Sequence, residues 1–159
     1  MVVRMNAWVL RAIVLGALVV FLRAVLGFAM VYWPTHGVWM RALCLIVLLA
    51  VIVYWGFLDG RKDRTANPNP ETGTDLTLLW LKAAVAAGLG SGLGAWILDW
   101  LPKFDLGDNG LLFELTAGAA FIVLLVFIPA LIGVGIGRAL TDRRSAKASA
   151  EPTPVSTGV

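Results

Sequence analysis

ALCLIVLLAVIVYWGFL, residues 42–58, is a run of 17 residues without a charge, and its reading decides the fold. An α-helix crosses the hydrocarbon core of a bilayer with about 17–25 apolar residues, so this run sits at the lower limit of a span. Read outward, it becomes a helix over 38–58. The turn Pro34-Thr35-His36-Gly37 precedes it and Asp59-Gly60 closes it. Three similar runs flank it. Residues 12–33 are broken only by Arg23. Residues 76–101 open on Asp75 or Thr77, both suitable caps, and close at Pro102. Residues 111–137 contain Pro129, which removes one backbone hydrogen bond and predicts a kink. The expected fold is an all-α membrane protein, a four-helix transmembrane bundle.

Composition agrees. Of 159 residues, 59% are hydrophobic and 14% charged, with mean hydropathy +0.84. A water-soluble domain would lack the polar residues to cover its surface, so the lipid bilayer is the expected partner. The net charge of +3 does not point to nucleic acid, because the basic residues flank apolar runs and are not gathered with aromatics on a polar face. The first run continues through Phe28, Tyr32 and Trp33 without a small-residue cleavage site, so it is expected to stay in the mature protein.

The basic residues set an expected orientation. Arg4, Arg11, Arg61, Lys62, Arg64, Arg138, Arg143, Arg144 and Lys147 fall on one side, against Arg41 and Lys103 on the other. The richer side reads as cytoplasmic, with both termini inside. Tryptophans agree: Trp8, Trp55 and Trp80 fall near the inner ends of spans, and Trp33, Trp39, Trp96 and Trp100 near the outer ends, as an aromatic belt requires. Residues 1–11 read as a cytoplasmic N-terminus and residues 59–75 as a polar loop. Residues 138–159, rich in Ser, Ala, Thr and Pro, read as a disordered cytoplasmic tail.

Helix 3 carries Gly88, Gly90, Ser91, Gly92 and Gly94 among alanines. Each glycine costs a helix about 1 kcal/mol relative to alanine, which implies an offsetting gain from close backbone approach. Helix 3 is therefore expected to be the packing centre, within one chain or across a homodimer. No strand precedes these glycines, so packing is preferred to phosphate binding, and Gly133, Gly135 and Gly137 read the same way.

Arg23 lies ten residues before Trp33, about 15 Å deep and close to the bilayer midplane. A guanidinium there is expensive and should face protein or water, with Gly16 and Gly27 on its helical face. Glu114 is the expected partner, with Arg41 as an alternative for Glu114 or an interfacial cation on its own. The Arg23 and Glu114 pair reads equally as a substrate or proton site and as an ion pair that fixes helix register. Lys82 is expected to reach the interface or to meet Asp59. Cys44, the only cysteine, reads as a small hydrophobe. With one histidine, His36, in a turn, neither a metal site nor a histidine-based catalytic centre assembles, so no cofactor and no enzymatic activity are expected.

A faint likeness joins Leu26-Gly27-Phe28-Ala29 with Tyr32-Trp33-Pro34 to Leu93-Gly94-Ala95-Trp96 with Trp100-Leu101-Pro102. It would make two parallel hairpins, and we do not read it as a duplication. A wider resemblance rests on Asp59-Gly60-Arg61, Ala66-Asn67-Pro68-Asn69-Pro70, Asp75-Leu76-Thr77 with Trp80-Leu81, and Glu114-Leu115-Thr116 followed by residues 124–130, LLVFIPA. With these the chain resembles small bacterial four-helix membrane proteins classed as drug/metabolite-transporter-like, over most of its length to about Arg144. The resemblance implies a multi-pass protein of the bacterial cytoplasmic membrane that transports a small molecule. Small multidrug exporters place a glutamate in their first helix, whereas this first helix carries Arg23. An anionic or amphiphilic substrate suits that charge better than a cationic drug. The competing expectation is a non-transporting accessory or scaffold subunit that docks on another membrane protein through helix 3.

Overall fold

The computed structural model describes residues 7–69, 73–99 and 114–150. Four helices carry the fold: α1 (Ala7–Tyr32), α2 (Gly37–Ala66), α3 (Leu76–Asp99) and α4 (Ala119–Ala150). A 3-10 turn at Pro34–His36 joins α1 to α2, and one π-helical turn at Glu114–Gly118 leads into α4. No strand occurs among the described residues. All four helices are long and apolar enough to cross a membrane. The connection at residues 103–110 and the predicted helix ends at 100–101 and 111–113 lie outside the described residues.

Local chemistry sets several boundaries where the sequence predicts them. Asp75 caps α3, its Oδ1 accepting from the Leu78 amide at 3.0 Å. Pro34 opens the tight turn after α1. Helix α4 runs unbroken through Pro129.

Three boundaries differ from expectation: α1 begins at Ala7, within the residues expected to form the N-terminal segment ahead of the span, and two helices run on past their expected ends. Helix α2 does not stop at Asp59-Gly60 but continues to Ala66, and residues 138–150, expected to be disordered, are the last turns of α4. The cause is the α2–α4 interface. Gly56 and Gly60 lie against Ala130 and Val134, and a Cβ on Gly60 would come within 2.9 Å of the Val134 Cα. From the other side Gly133 lies against Val53 and Phe57, and Gly137 against Phe57 and Arg61. The two backbones thus touch over several turns, and the contact carries on past the apolar end of each run. Each helix contributes a G-x-x-x-G pair, at 56–60 and 133–137.

Helix 3 is therefore not the single packing centre. Its buried face, Ala83, Ala84, Ala87, Gly88 and Ser91, packs on α1 through Ala87 against Gly16, and on α4 through Gly88 against Ala119 and Val123. Gly94 meets the Val20 side chain, whereas Gly90 is exposed with no atom within 4 Å of a Cβ built there. Around the bundle the order is α1, α3, α4, α2, with lighter contact closing α2 on α1. Within the close pairs, α1 runs parallel to α3 and α2 parallel to α4.

Leu15, Ile52, Trp80 and Val126, all at 0% exposure, are the large side chains the core encloses completely. The outer surface stays apolar: Phe21, Phe28, Trp39, Leu43, Ile46, Tyr54, Phe121 and Leu124 are all exposed. Such a continuous apolar surface suits lipid and not water.

Candidate functional site

The start of α1, the end of α2, the start of α3 and the end of α4 meet at one end of the bundle, where ion pairs tie them together. Arg11 reaches across from α1 and grips Asp59 of α2 with a fork: Nη2 donates to Oδ1 at 2.7 Å and Nε to Oδ2 at 2.9 Å. Both side chains are nearly buried, at 11% and 8% exposure. The guanidinium carbon lies 5.8 Å from the Trp55 ring centre and 5.6 Å from that of Trp80, and the two indoles meet edge to face. Aromatic faces add cation–π attraction to the ion pair, the arrangement by which a planar guanidinium is held in a dry site.

One turn further along α2, Asp63 joins three elements. It accepts from Arg138 of α4 at 2.6 and 3.0 Å and from the Thr74 amide, just ahead of α3, at 2.8 Å. Asp63 stands beyond the apolar run that ends at Leu58. Burial alone would raise its carboxyl pKa, but the Thr74 amide and Arg138 outweigh burial and hold it below the ordinary carboxylate value. Arg64 pairs with Asp142 of α4 at 2.7 Å.

Arg23 is half-buried in α1 and continues the buried series Ala12, Gly16 and Val19 at spacings of four, three and four. It is not without an interaction partner. The side chain of Glu114, its expected partner, lies outside the described residues. Arg41 is exposed, its Nη2 donating to the Met30 sulfur at 3.6 Å. Lys82 is exposed, and Asp59 has Arg11 as its partner in place of Lys82. Trp80, expected in an interfacial belt, is wholly buried beside the Arg11 cation, and Trp55, edge to face with it, is half-buried. Trp33 and Trp39 are exposed at the opposite end, as a belt would place them.

A groove of about 670 Å³ runs between α1 and α3 on the outer surface. Gly16, Val20, Phe21 and Ala24 of α1 and Ala86 and Gly90 of α3 line it, and Arg23, next to Ala24 in sequence, is not among the lining residues. Among the described residues no group of three or more His, Cys, Asp or Glu side chains is arranged to hold a metal ion.

The pairings that organise this end, Arg11 with Asp59, Asp63 with Arg138 and Arg64 with Asp142, are not among the sequence-predicted sites. Their partners stand 48, 75 and 78 residues apart. The charge alternation within residues 59–64 was the available signal. With the geometry in place, the class of the fold is a four-helix bundle with the length and apolarity of a multi-pass membrane protein. No protein-family model matches the chain, and no curated protein matches it.

Proposed function

We propose that the protein is a small-molecule transporter of the drug/metabolite-transporter-like kind. It lies in the bacterial cytoplasmic membrane with both ends inside and works as a homodimer on an anionic or amphiphilic substrate. The observation that carries this reading is Arg23: an arginine well inside the apolar run of α1, half-buried and on the same helical face as Gly16, which packs on Ala87 of α3. The division of the bundle supports it. Helices α2 and α4 are locked backbone to backbone, while α1 and α3 form a second pair that packs on the first through α3 against α4 and is tied to it by Arg11 and Asp59 at the charged end. Two bodies of this kind are what alternating access requires, and four helices enclose little volume between them, which favours a dimer.

The test is uptake into proteoliposomes of a fluorescent alkyl sulfonate, beside its trimethylammonium counterpart. The sulfonate should enter faster, and Arg23→Gln should slow it about tenfold, the loss expected for one charged hydrogen bond. An unchanged rate in a correctly inserted Arg23→Gln protein, or no protein-dependent flux of either probe, rejects the proposal.

A second reading, the non-transporting accessory subunit, is favoured by Gly90, which leaves open space on the outer face of α3. Mild crosslinking in membranes separates the two: a stoichiometric hetero-partner supports the accessory subunit, and a homodimer supports the transporter.

A further inference from the structure

At the charged end, the described carboxylates are Asp59, Asp63, Asp75 and Asp142. Arg11 occupies the first, Arg138 the second and Arg64 the last, while Asp75 caps α3. This leaves Arg61 and Lys62, adjacent on α2 and both exposed, without a carboxylate partner among the described residues. Neither cation serves the internal ties. Arg61 is nonetheless fixed in place: its backbone lies against Gly137 of α4, and its guanidinium carbon sits 5.5 Å from the Phe57 ring centre.

The two cations border a groove of about 380 Å³ lined by Leu58, Arg61, Lys62, Thr65 and Ala66. On the same face of α2, at spacings of three and four, the exposed apolar residues Val47, Val51 and Tyr54 lead to Leu58 and then to the cations. From Val51 to Arg61 the helix rises about 15 Å, the depth of one leaflet's hydrocarbon. The face therefore has the profile of a lipid: an apolar stripe of acyl-chain length that ends in a doubly cationic seat. We infer that this face of α2 binds an anionic phospholipid, with its phosphate between Arg61 and Lys62 and a chain along Tyr54 and Val51. Charge complementarity selects an anionic head group over a zwitterionic one, and the apolar stripe selects a lipid over a free anion.

The protein in a neutral detergent, titrated with phosphatidylglycerol, phosphatidylcholine or inorganic phosphate and weighed intact by native mass spectrometry, tests the inference. Phosphatidylglycerol should be retained in preference to phosphatidylcholine. Arg61→Gln or Lys62→Gln alone should weaken its retention about fivefold, and the two together about 25-fold, at about 1 kcal/mol per surface cation. Arg143→Gln with Arg144→Gln, on exposed positions of α4, should leave most of the preference in place. Equal retention of the two lipids by the native protein overturns the inference, as does an unchanged preference in the folded double variant. Displacement of phosphatidylglycerol by equimolar inorganic phosphate also overturns it, since the seat would then be a free-anion site. The transport reading does not enter these outcomes, so either can fail alone.

Discussion

Arg11 and Asp59 form a two-pronged ion pair beneath the Trp55 and Trp80 rings, and through it α1 is tied to α2 at the charged end. With both side chains this buried, removal of one partner leaves the other charge without compensation. Asp59→Ala should cost about 3–5 kcal/mol, whereas Arg11→Met combined with Asp59→Leu should recover most of the loss. Thermal unfolding in detergent of the single and double variants gives the comparison. A single variant within 1 kcal/mol of the native protein would show that the site is wet.

The contrast with Arg64 and Asp142 is quantitative. Asp142 is 49% exposed in that pair, so water screens it and a long side chain loses rotamer freedom to form it. Asp142→Asn should shift stability by less than about 1 kcal/mol. A loss as large as that of Asp59→Ala would mean that the end of α4 is more tightly docked than its exposure indicates.

Glycines that look alike in sequence should behave in opposite ways. A Cβ on Gly133 would press on the Val53 carbonyl and approach the Phe57 amide nitrogen to 2.9 Å, and one on Gly137 would approach the Arg61 nitrogen to 3.0 Å. Backbone cannot move aside as a side chain can, so Gly133→Ala and Gly137→Ala should each cost about 1–3 kcal/mol or more. Gly135, between them, has no atom within 4 Å, and Gly135→Ala should be neutral or stabilise by up to about 1 kcal/mol through lower chain entropy. Melting temperatures of the three variants check this order.

Asp63 gives a pH dependence with a definite sign. Its folded pKa is lowered, so its contribution to stability is fully present above the unfolded carboxylate value and is lost as pH falls through the folded one. Acid should therefore loosen the junction of α2, α4 and the start of α3, and the Thr74 amide should exchange faster below about pH 4. Asp63→Asn should flatten this acid limb. Unaltered acid sensitivity in that variant would assign the effect to another carboxylate.

The number of helices, the tight turn after α1 and the Asp75 cap were legible because each is written in neighbouring residues: apolar length, proline and glycine punctuation, a carboxylate one residue before the helix. The ends of α2 and α4 were not. Residues 59–66 and 138–150 are polar and, read locally, have no reason to be helical, but in the fold each helix is extended by contact with the other. Gly56, Gly60, Gly133 and Gly137 carried that information at spacings of four, and the denser small-residue run of α3 drew the reading toward itself. Arg23 was legible as a costly charge. The choice of Arg11 for Asp59 was not, since nothing local says which helices are neighbours.

The order of the helices around the bundle has a consequence for how the chain is made. Helix α4 is synthesised after α1, α2 and α3, yet it fits between α2 and α3 and covers the notch that Gly56 and Gly60 cut in α2. Until it arrives, three helices stand in the bilayer with that notch open, and α2 has no close partner of its own. Close packing of α2 therefore waits on α4, and a chain halted before residue 119 presents a vacant helix seat to any neighbouring copy whose α4 is free, a route to helix-exchanged dimers and to recognition by membrane quality control.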